Sequence, residues 1–173
     1  MCFLSKVYSN STLIDPFCGS GTIAIEGALL CLNIAPGLKR SFAAERWESS
    51  DPQVWQRERE RAHDLVRQDA SFHAYVYDID QEALDLVQAN AKKAGVSSRI
   101  TTQTRDIREF VCEGERGTVI CNPPYGERLL DVNRAEELYE AMGRAFIQQK
   151  GWSYSIISPD ADFERCYGRK ADK

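Results

Sequence analysis

Residues 118–128 read Thr118-Val119-Ile120-Cys121-Asn122-Pro123-Pro124-Tyr125-Gly126-Glu127-Arg128, and the interpretation of the whole chain starts from this stretch. Its first four residues are apolar or β-branched, which is typical of a short buried strand. The two prolines after Asn122 cannot continue a sheet ladder or enter a helix interior, so the strand has to end there. The sequence therefore predicts a buried strand that runs directly into a stiff loop.

The loop after this strand combines two hydrogen-bond acceptors with an aromatic ring. Because the prolines stiffen the backbone, the Asn122 amide and the Pro123 carbonyl are held in fixed directions, and Tyr125 offers a flat surface. Such a loop can bind a planar amino group while the ring stacks on the flat system behind it. The alternative is a plain strand-ending turn with a buried tyrosine.

A second unusual turn, residues 15–22, follows a short predicted strand that ends at Ile14. It reads Asp-Pro-Phe-Cys-Gly-Ser-Gly-Thr and leads into an apolar helix. Gly19 and Gly21 permit positive φ and a close approach of the backbone to a ligand, and the helix start offers free N–H groups. Asp15 is placed to brace this turn or to bind an ammonium group.

Strands and helices alternate along the chain, which predicts a parallel sheet with right-handed crossovers. In such sheets ligands bind beyond the carboxyl ends of the strands. If the strands that end at Ile14 and Cys121 are neighbours, they lie about 5 Å apart, and the two turns share one pocket. We predict strands at Thr12–Ile14, Phe72–Tyr77, Arg99–Thr104, Thr118–Cys121 and Tyr154–Ile157, helices at Ile23–Leu32 and Pro52–Asp69, a helix from Asp80 to Gly95, a helix capped by Asn133, and a mobile basic tail at Arg165–Lys173.

Composition limits the classes of protein that remain. The chain has 173 residues, of which 43% are hydrophobic and 28% charged, as in one soluble globular domain with a core. A net charge of -4 gives no overall basic field to recruit nucleic acid, so such contact must come from a local patch or another domain. The six cysteines form no Cys-x-x-Cys pair, which argues against a metal site and favours the cytoplasm. No apolar run approaches the roughly 20 residues of a membrane helix.

Two interpretations of the glycine turn as a nucleotide-binding loop leave parts of the sequence unexplained. Gly19-Ser20-Gly21-Thr22-Ile23-Ala24 satisfies the pattern G-x-G-x-x-A of nicotinamide-binding proteins. Their ribose-binding acid follows about 20 residues later, whereas Asp78 lies far downstream, and the Asn122–Tyr125 loop is left without a task. No Walker-type lysine follows the glycines, so a phosphate-binding loop is disfavoured as well.

Together, the two turns resemble those of class I S-adenosylmethionine-dependent methyltransferases that modify planar amino groups. Residues 35–42, Trp47 and Trp55, with the run at 123–128, narrow the resemblance to the THUMP-containing ribosomal RNA guanine N2-methyltransferases. The resemblance covers nearly the whole chain and treats residues 1–173 as one methyltransferase domain.

The sequence departs from that family in three places. It has no N-terminal THUMP RNA-binding domain, the helix before the first strand is cut short, and the chain stops where the family fold adds an antiparallel hairpin. The resemblance therefore implies a Rossmann-like, doubly wound α/β sheet of five parallel strands without the final hairpin. It also implies a fragment whose contact with ribosomal RNA depends on a domain missing here.

The resemblance implies S-adenosylmethionine as the cofactor. It assigns Asp15, Gly19 and Gly21 to the methionine end, Asp78 to the ribose hydroxyls and Asp106 to the adenine amino group. Each aspartate has an alternative role as a helix cap or turn former. The other cofactor-binding positions that it implies are Phe17, Thr22, Ile79 and Asn122.

The same resemblance implies that the catalytic residues are Asn122, Pro123, Pro124 and Tyr125. The target base leaves its stack, Tyr125 stacks on it, and the Asn122 Oδ1 and Pro123 carbonyl accept both hydrogens of the exocyclic amine. This chemistry needs no metal ion and no histidine base. N6-adenine DNA methyltransferases and N5-glutamine protein methyltransferases share the loop, and a non-catalytic RNA-binding module is a further alternative.

Overall fold

A parallel sheet of five strands, in the order β3-β2-β1-β4-β5, organises the protein. The computed structural model describes residues 1–112, 114–125, 129–146 and 150–172, and for 129–133 the backbone alone. Every pair of neighbouring strands is parallel, which confirms the predicted Rossmann-like sheet. The elements are β1 Thr12–Asp15, α1 Thr22–Cys31, α2 Pro52–Asp64, β2 His73–Asp78, α3 Gln81–Ala94, β3 Ile100–Thr104, β4 Gly117–Cys121, α4 Leu129–Ala145, β5 Trp152–Ile156 and α5 Phe163–Tyr167.

The two faces of the sheet are covered by different helices. Leu13 of β1 packs into a core cluster that includes side chains of α1 and α3. Its neighbour Ile14 belongs to a second cluster, which includes Tyr139 and Met142 of α4. Both residues are buried, and β1 and β4 are apolar runs because each has both faces covered.

The switch in strand order lies between β1 and β4. Leu13 pairs with Thr118, and Ile14 pairs with Val119, so these strands are neighbours, which is the condition stated above for a shared pocket. Because they run parallel, the turns that follow them leave the sheet side by side at its carboxyl edge.

The ends of α2 and α3 follow local capping chemistry. Asp80 accepts a hydrogen bond from the Glu82 N–H at 2.9 Å, and Gly95 ends α3 in a left-handed conformation with φ 81°. The helix α2 ends at Asp64, well before the predicted end. Asn33 donates to the Leu65 carbonyl at 2.9 Å, which fastens the end of α2 to the end of α1.

The segment before α2 folds back onto that helix. The Phe42 ring stacks on Trp55 with centroids 5.7 Å apart. Arg59 of α2 forms a 2.6 Å ion pair with Glu45 and donates to the Arg40 carbonyl at 2.9 Å. These contacts give order to a long connection that otherwise lacks a buried core.

Two predictions about the second half of the chain are wrong. The helix α4 begins at Leu129 rather than at a cap on Asn133. The start of the tail expected to be mobile, Arg165–Tyr167, belongs to α5, where Phe163 packs edge-on against Tyr139 with centroids 4.8 Å apart. Arg169 then donates to the Gly143 carbonyl at the end of α4 at 2.8 Å. The motif residues 126–128, and Lys173 of the tail, lie outside the described residues.

Candidate active site

The glycine turn between β1 and α1 is fastened to β2 by its backbone. The Cys18 N–H donates to the Tyr77 carbonyl at 3.1 Å, and the Gly19 N–H donates to Asp78 Oδ2 at 3.1 Å. Gly19 and Gly21 have φ of 48° and 79°, conformations that L side chains rarely adopt. The turn therefore has a fixed shape before any ligand binds.

Gly21 is also required by close packing against α3. A Cβ atom at this position would lie 2.7 Å from Val87 Cγ1, which is closer than real carbon atoms approach. Thr22, which begins α1, bonds through its hydroxyl to the Ser20 hydroxyl at 3.0 Å. Both residues shape the turn rather than line the cleft described below.

Asp15 is a buried carboxylate with one oxygen left without a partner. Its side chain is 1% exposed, its Oδ1 accepts from the Phe17 N–H at 3.2 Å, and its Oδ2 has no hydrogen bond. Burial raises the pKa of Asp15 to about 7; the charge of Asp78 adds to this rise, and the Phe17 N–H opposes it. Buried polar atoms normally have partners, so Oδ2 marks a place where a ligand can donate.

Asp78 and Asp106 lie at the carboxyl ends of β2 and β3, and both support turns. Asp78 accepts from Gly19 through Oδ2 and from the Asp80 N–H through Oδ1 at 3.1 Å. Asp106 accepts from the Arg108 N–H at 2.8 Å and pairs with its guanidinium at 2.9 Å. The turn-forming role considered from sequence is therefore present, and both carboxylates also line the cleft.

The Asn-Pro-Pro-Tyr loop presents its polar and aromatic groups outward. Pro123 is buried, while Asn122, Pro124 and Tyr125 are exposed. The interpretation of a turn with a buried tyrosine is wrong, since Tyr125 is 43% exposed. Among the described residues, no hydrogen bond engages the Asn122 side chain, so its amide faces the cleft ready for a ligand.

Both turns open into one cleft of about 1020 Å³. This confirms the prediction that the glycine turn and the Asn-Pro-Pro-Tyr loop share a pocket. Four of the predicted site residues do not line it, namely Asp15, Gly21, Thr22 and Pro123. The predicted site residues that do line it are Phe17, Gly19, Asp78, Ile79, Asp106, Asn122, Pro124 and Tyr125.

Charged side chains that the sequence analysis did not identify also line the cleft. Arg105 lies over the Tyr77 ring at 4.6 Å from its centroid, and Arg105 and Arg108 flank Asp106 in the cleft wall. Arg134 and Glu137 of α4 line the same cleft as Tyr125. Their spacing of three residues, on the helix that follows the Asn-Pro-Pro-Tyr loop, is the signal that could have found them.

The described part of the chain lacks two other functional features. It contains no group of three or more His, Cys, Asp or Glu side chains arranged to hold a metal ion. No helix within it has both the length and the apolar character needed to cross a bilayer. The six cysteines are free thiols.

Two relatives of known name match almost all of the chain. YpsC of Bacillus subtilis (strain 168), named as a candidate RNA methyltransferase, is 39% identical over 160 residues, which are 92% of this chain and 42% of that protein. The Ribosomal RNA large subunit methyltransferase K/L of Shewanella baltica (strain OS195) is 40% identical over 170 residues, which are 95% of this chain and 24% of that protein. The chain thus spans less than half the length of these relatives.

Two solved structures of similar fold are also named as a methyltransferase and a methylase. SMU.472, a candidate methyltransferase crystallised in complex with SAH, matches 99% of this chain and 45% of its own, with a TM-score of 0.93 and 37% identity. A Listeria monocytogenes (str. 4b F2365) protein named as a predicted N6-adenine-specific DNA methylase matches the same shares, with a TM-score of 0.94 and 38% identity. The model of the UPF0020 family, described as an RMKL-like methyltransferase domain, matches residues 1–173. The chain therefore belongs to the RMKL-like methyltransferase domain family.

Proposed function

We propose that this chain is the catalytic domain of an S-adenosylmethionine-dependent methyltransferase that acts in the cytoplasm on the exocyclic N2 amine of a guanine in ribosomal RNA. The observation that carries the proposal is the single cleft bordered by the glycine turn and the Asn-Pro-Pro-Tyr loop. Membership of the family and the name of the Shewanella relative support a methyl transfer to ribosomal RNA.

The residues around the cleft fit this cofactor. A volume of about 1020 Å³ lies at the upper end of the roughly 300–1,000 Å³ of ligand sites, so it has room for a cofactor and a base. Asp15 does not itself line the cleft, and its unpaired Oδ2 is the acceptor that we assign to the ammonium group of the methionine end. Ile79, which is 73% exposed in the cleft wall, offers an apolar surface to a flat adenine ring. The SAH in the SMU.472 structure agrees with this fit.

The donor side of the cleft is formed by the glycine turn and the ends of β2 and β3. Gly19 lets the backbone approach the cofactor, because it has no Cβ and lines the cleft. Each carboxylate oxygen can accept two hydrogen bonds, so Asp78 retains capacity for the ribose hydroxyls after bonding Gly19 and Asp80. Asp106 is held by Arg108 and faces the adenine amino group. When bound, S-adenosylmethionine supplies an electrophilic methyl group on a positively charged sulfur.

The acceptor side of the cleft is the Asn-Pro-Pro-Tyr loop. The Asn122 Oδ1 and the Pro123 carbonyl accept the two hydrogens of the target amine, which leaves the nitrogen lone pair free to face the methyl group. Tyr125 stacks on the base and fixes its plane. Holding the reacting atoms in line at about 3–3.5 Å contributes up to roughly 7–11 kcal/mol to lowering the barrier.

A second candidate is methylation of the N6 amine of adenine in DNA. The name of the Listeria relative favours it, and the same loop chemistry serves that amine. Methylation of a glutamine Nε2 in a protein uses the same two acceptors. A non-catalytic RNA-binding module differs from all three, because it does not require the cofactor.

Two measurements test the proposal. Calorimetry with S-adenosylhomocysteine is expected to give one site per chain, and a chain that binds none contradicts every methyltransferase candidate. Transfer of labelled methyl groups is then compared on unmethylated large-subunit ribosomal RNA, on DNA and on a release factor. Label on N2-methylguanine supports the proposal, whereas label on adenine or glutamine alone replaces it with the corresponding alternative.

A further inference from the structure

We infer that Arg134 and Glu137, one turn apart on α4, read the edge of the target base and select guanine over adenine and glutamine. The inference rests on the proposed function, because the base it concerns occupies the same cleft. It goes beyond that function by assigning base selection to two side chains outside the Asn-Pro-Pro-Tyr loop.

The position of the two side chains is the first part of the evidence. Arg134 and Glu137 both line the cleft that Asn122 and Tyr125 border. Side chains three residues apart on a helix lie about 5–6 Å apart at their Cβ atoms, so two long side chains there can reach adjacent atoms of one planar ligand. They stand on the helix that follows the Asn-Pro-Pro-Tyr loop, beside the place where the base is held.

Within the described ranges, other charged side chains on α4 form ion pairs, in contrast to Arg134 and Glu137 in the cleft. Glu136 pairs with Arg165 at 2.9 Å, and Glu140 pairs with Arg144 at 3.5 Å. Within the part of the chain that the structure describes, Arg134 and Glu137 form no ion pair, with each other or with another residue. Opposite charges that line a cleft without pairing are available to a ligand that carries both a donor and an acceptor.

Guanine carries those groups in the required order. Along its Watson–Crick edge lie the O6 acceptor, the N1–H donor and the N2 amino group, one after the other. With the amine bound by Asn122 and the Pro123 carbonyl, the next atom needs an acceptor, which is the Glu137 carboxylate. The atom beyond it needs a donor, which is the Arg134 guanidinium. The protein thus offers donor, acceptor and acceptor, the order that cytosine presents to guanine.

Adenine and glutamine present an acceptor to Glu137, whereas guanine presents a donor. If the N6 amine of adenine is bound by Asn122 and the Pro123 carbonyl, the adjacent N1 directs a lone pair at the carboxylate. The carbonyl oxygen of a glutamine side chain, next to its Nε2, does the same. Two acceptors that face each other without a hydrogen between them repel and are left unpaired, so Glu137 acts against both alternatives.

The test measures nucleotide binding to the 173-residue chain saturated with S-adenosylhomocysteine. Saturation-transfer NMR with guanosine, adenosine and 2-aminopurine riboside monophosphates at millimolar concentration gives three dissociation constants. We expect guanosine monophosphate to bind roughly ten- to hundredfold more tightly than the other two. The 2-aminopurine nucleotide keeps the N2 amine but lacks O6 and N1–H, so it isolates the contacts assigned to Arg134 and Glu137.

Matched variants connect this preference to the two residues. In Glu137→Gln the preference for guanosine over adenosine monophosphate is expected to fall at least about tenfold, because a glutamine can donate to N1 of adenine. Arg134→Gln is expected to weaken the binding of guanosine monophosphate and to leave the binding of the 2-aminopurine nucleotide unchanged. Glu140→Gln and Arg144→Gln make the same charge changes on the same helix outside the cleft and are expected to keep the full preference.

Each outcome has a defined meaning. Equal binding of the guanosine and adenosine nucleotides to the wild-type chain, or no binding of either, overturns base selection by these residues. An unchanged preference in Glu137→Gln overturns the role of Glu137. S-adenosylhomocysteine affinity is measured for each variant as a check on folding, and failure of the wild-type chain to bind it would contradict the proposed function instead.

Discussion

The turn after β1 and the loop after β4 border the same cleft but are built in different ways. In the glycine turn the backbone N–H groups of Cys18 and Gly19 are already bonded to β2. In the Asn-Pro-Pro-Tyr loop the shape comes from the covalent rings of the prolines and the burial of Pro123. Its Asn122 amide has no hydrogen bond among the described residues.

This difference matches two kinds of ligand. The cofactor side meets the same molecule in every cycle, so its polar groups can be fixed by contacts within the protein. In the proposed reaction the substrate side holds an amine that arrives from a stacked base, so its acceptors have to remain available. Substitutions in the glycine turn should therefore change stability and cofactor affinity, and those in the loop should change the rate alone.

Asn122→Ala is expected to have the largest effect on activity. It removes one of the two acceptors that orient the amine, and the loss of one oriented hydrogen-bonding group in an active site lowers the rate roughly a hundredfold or more. S-adenosylhomocysteine affinity, measured by calorimetry, should stay within about twofold of wild type, since the cofactor contacts lie mainly on the other side. Equal loss of rate and of cofactor affinity would contradict the separation of the two sides.

Gly21→Ala tests whether the glycine turn is fixed by packing. The substitution combines a positive φ with a Cβ placed 2.7 Å from Val87, and it should lower the free energy of unfolding by roughly 2–4 kcal/mol. Gly19→Ala also has a positive φ but meets nothing within 4 Å, so we expect a smaller loss, about 1–2 kcal/mol, with weaker cofactor binding. Urea unfolding of both, and of Gly21→Ala with Val87→Ala, separates the clash from the backbone strain.

Asp78→Ala is expected to weaken S-adenosylhomocysteine binding roughly ten- to hundredfold, because it removes a charged acceptor from the cleft and releases the Gly19 N–H. Calorimetry measures the change, and Asp85→Ala on the exposed side of α3 serves as the control for lost charge. A dissociation constant equal to that of wild type would remove Asp78 from the cofactor site.

Asp15→Asn should alter the pH dependence of cofactor binding. Only the ionised carboxylate attracts an ammonium group, and with a pKa of about 7 the affinity of the wild-type chain should rise up to about tenfold between pH 6 and 8. The variant should lose that rise, as calorimetry at several pH values would reveal. An identical pH profile in both proteins would contradict the assigned contact.

The same carboxyl group affects stability in the opposite direction. Its pKa in the folded chain is about 7, against an ordinary value of 3.8 for an exposed aspartate, so between these values the folded chain binds more protons than the unfolded chain. The stability of the ligand-free protein should therefore fall as the pH rises from about 4 to 7, and level off above it. Asp15→Asn should remove this part of the pH dependence in urea unfolding.

Sequence reasoning found the strands and both turns because their signals are local. The apolar run before Asn122 indicates a buried strand, and the glycines after Asp15 indicate a turn. Each pattern is contained within a few neighbouring residues. The neighbouring position of β1 and β4 entered only as the condition for a shared pocket, and the structure meets it. Element type and the shared cleft were therefore accessible before the structure, whereas the strand order was not predicted.

Several of the errors concern contacts between distant residues. The tail is basic by composition, yet the aromatic rings of α5 pack on Tyr139 of α4 and on Phe146, which follows that helix. The residue after α2, Leu65, is bonded to Asn33, which lies on the other side of a long connection. The roles of Asp78 and Val87 in shaping the glycine turn depend on tertiary distances, which no local pattern encodes.

The pairing of Leu13 with Thr118 also affects how a ligand stabilises the protein. A contact between residues so far apart in sequence requires closure of the long loop between them, which costs conformational entropy. The cleft is complete only in the finished sheet, so a cofactor that spans it binds the native state. At a concentration a hundredfold above its dissociation constant, such a ligand would add about 2.7 kcal/mol to the free energy of unfolding, and the slowest amide hydrogen exchange should then be found in β1 and β4.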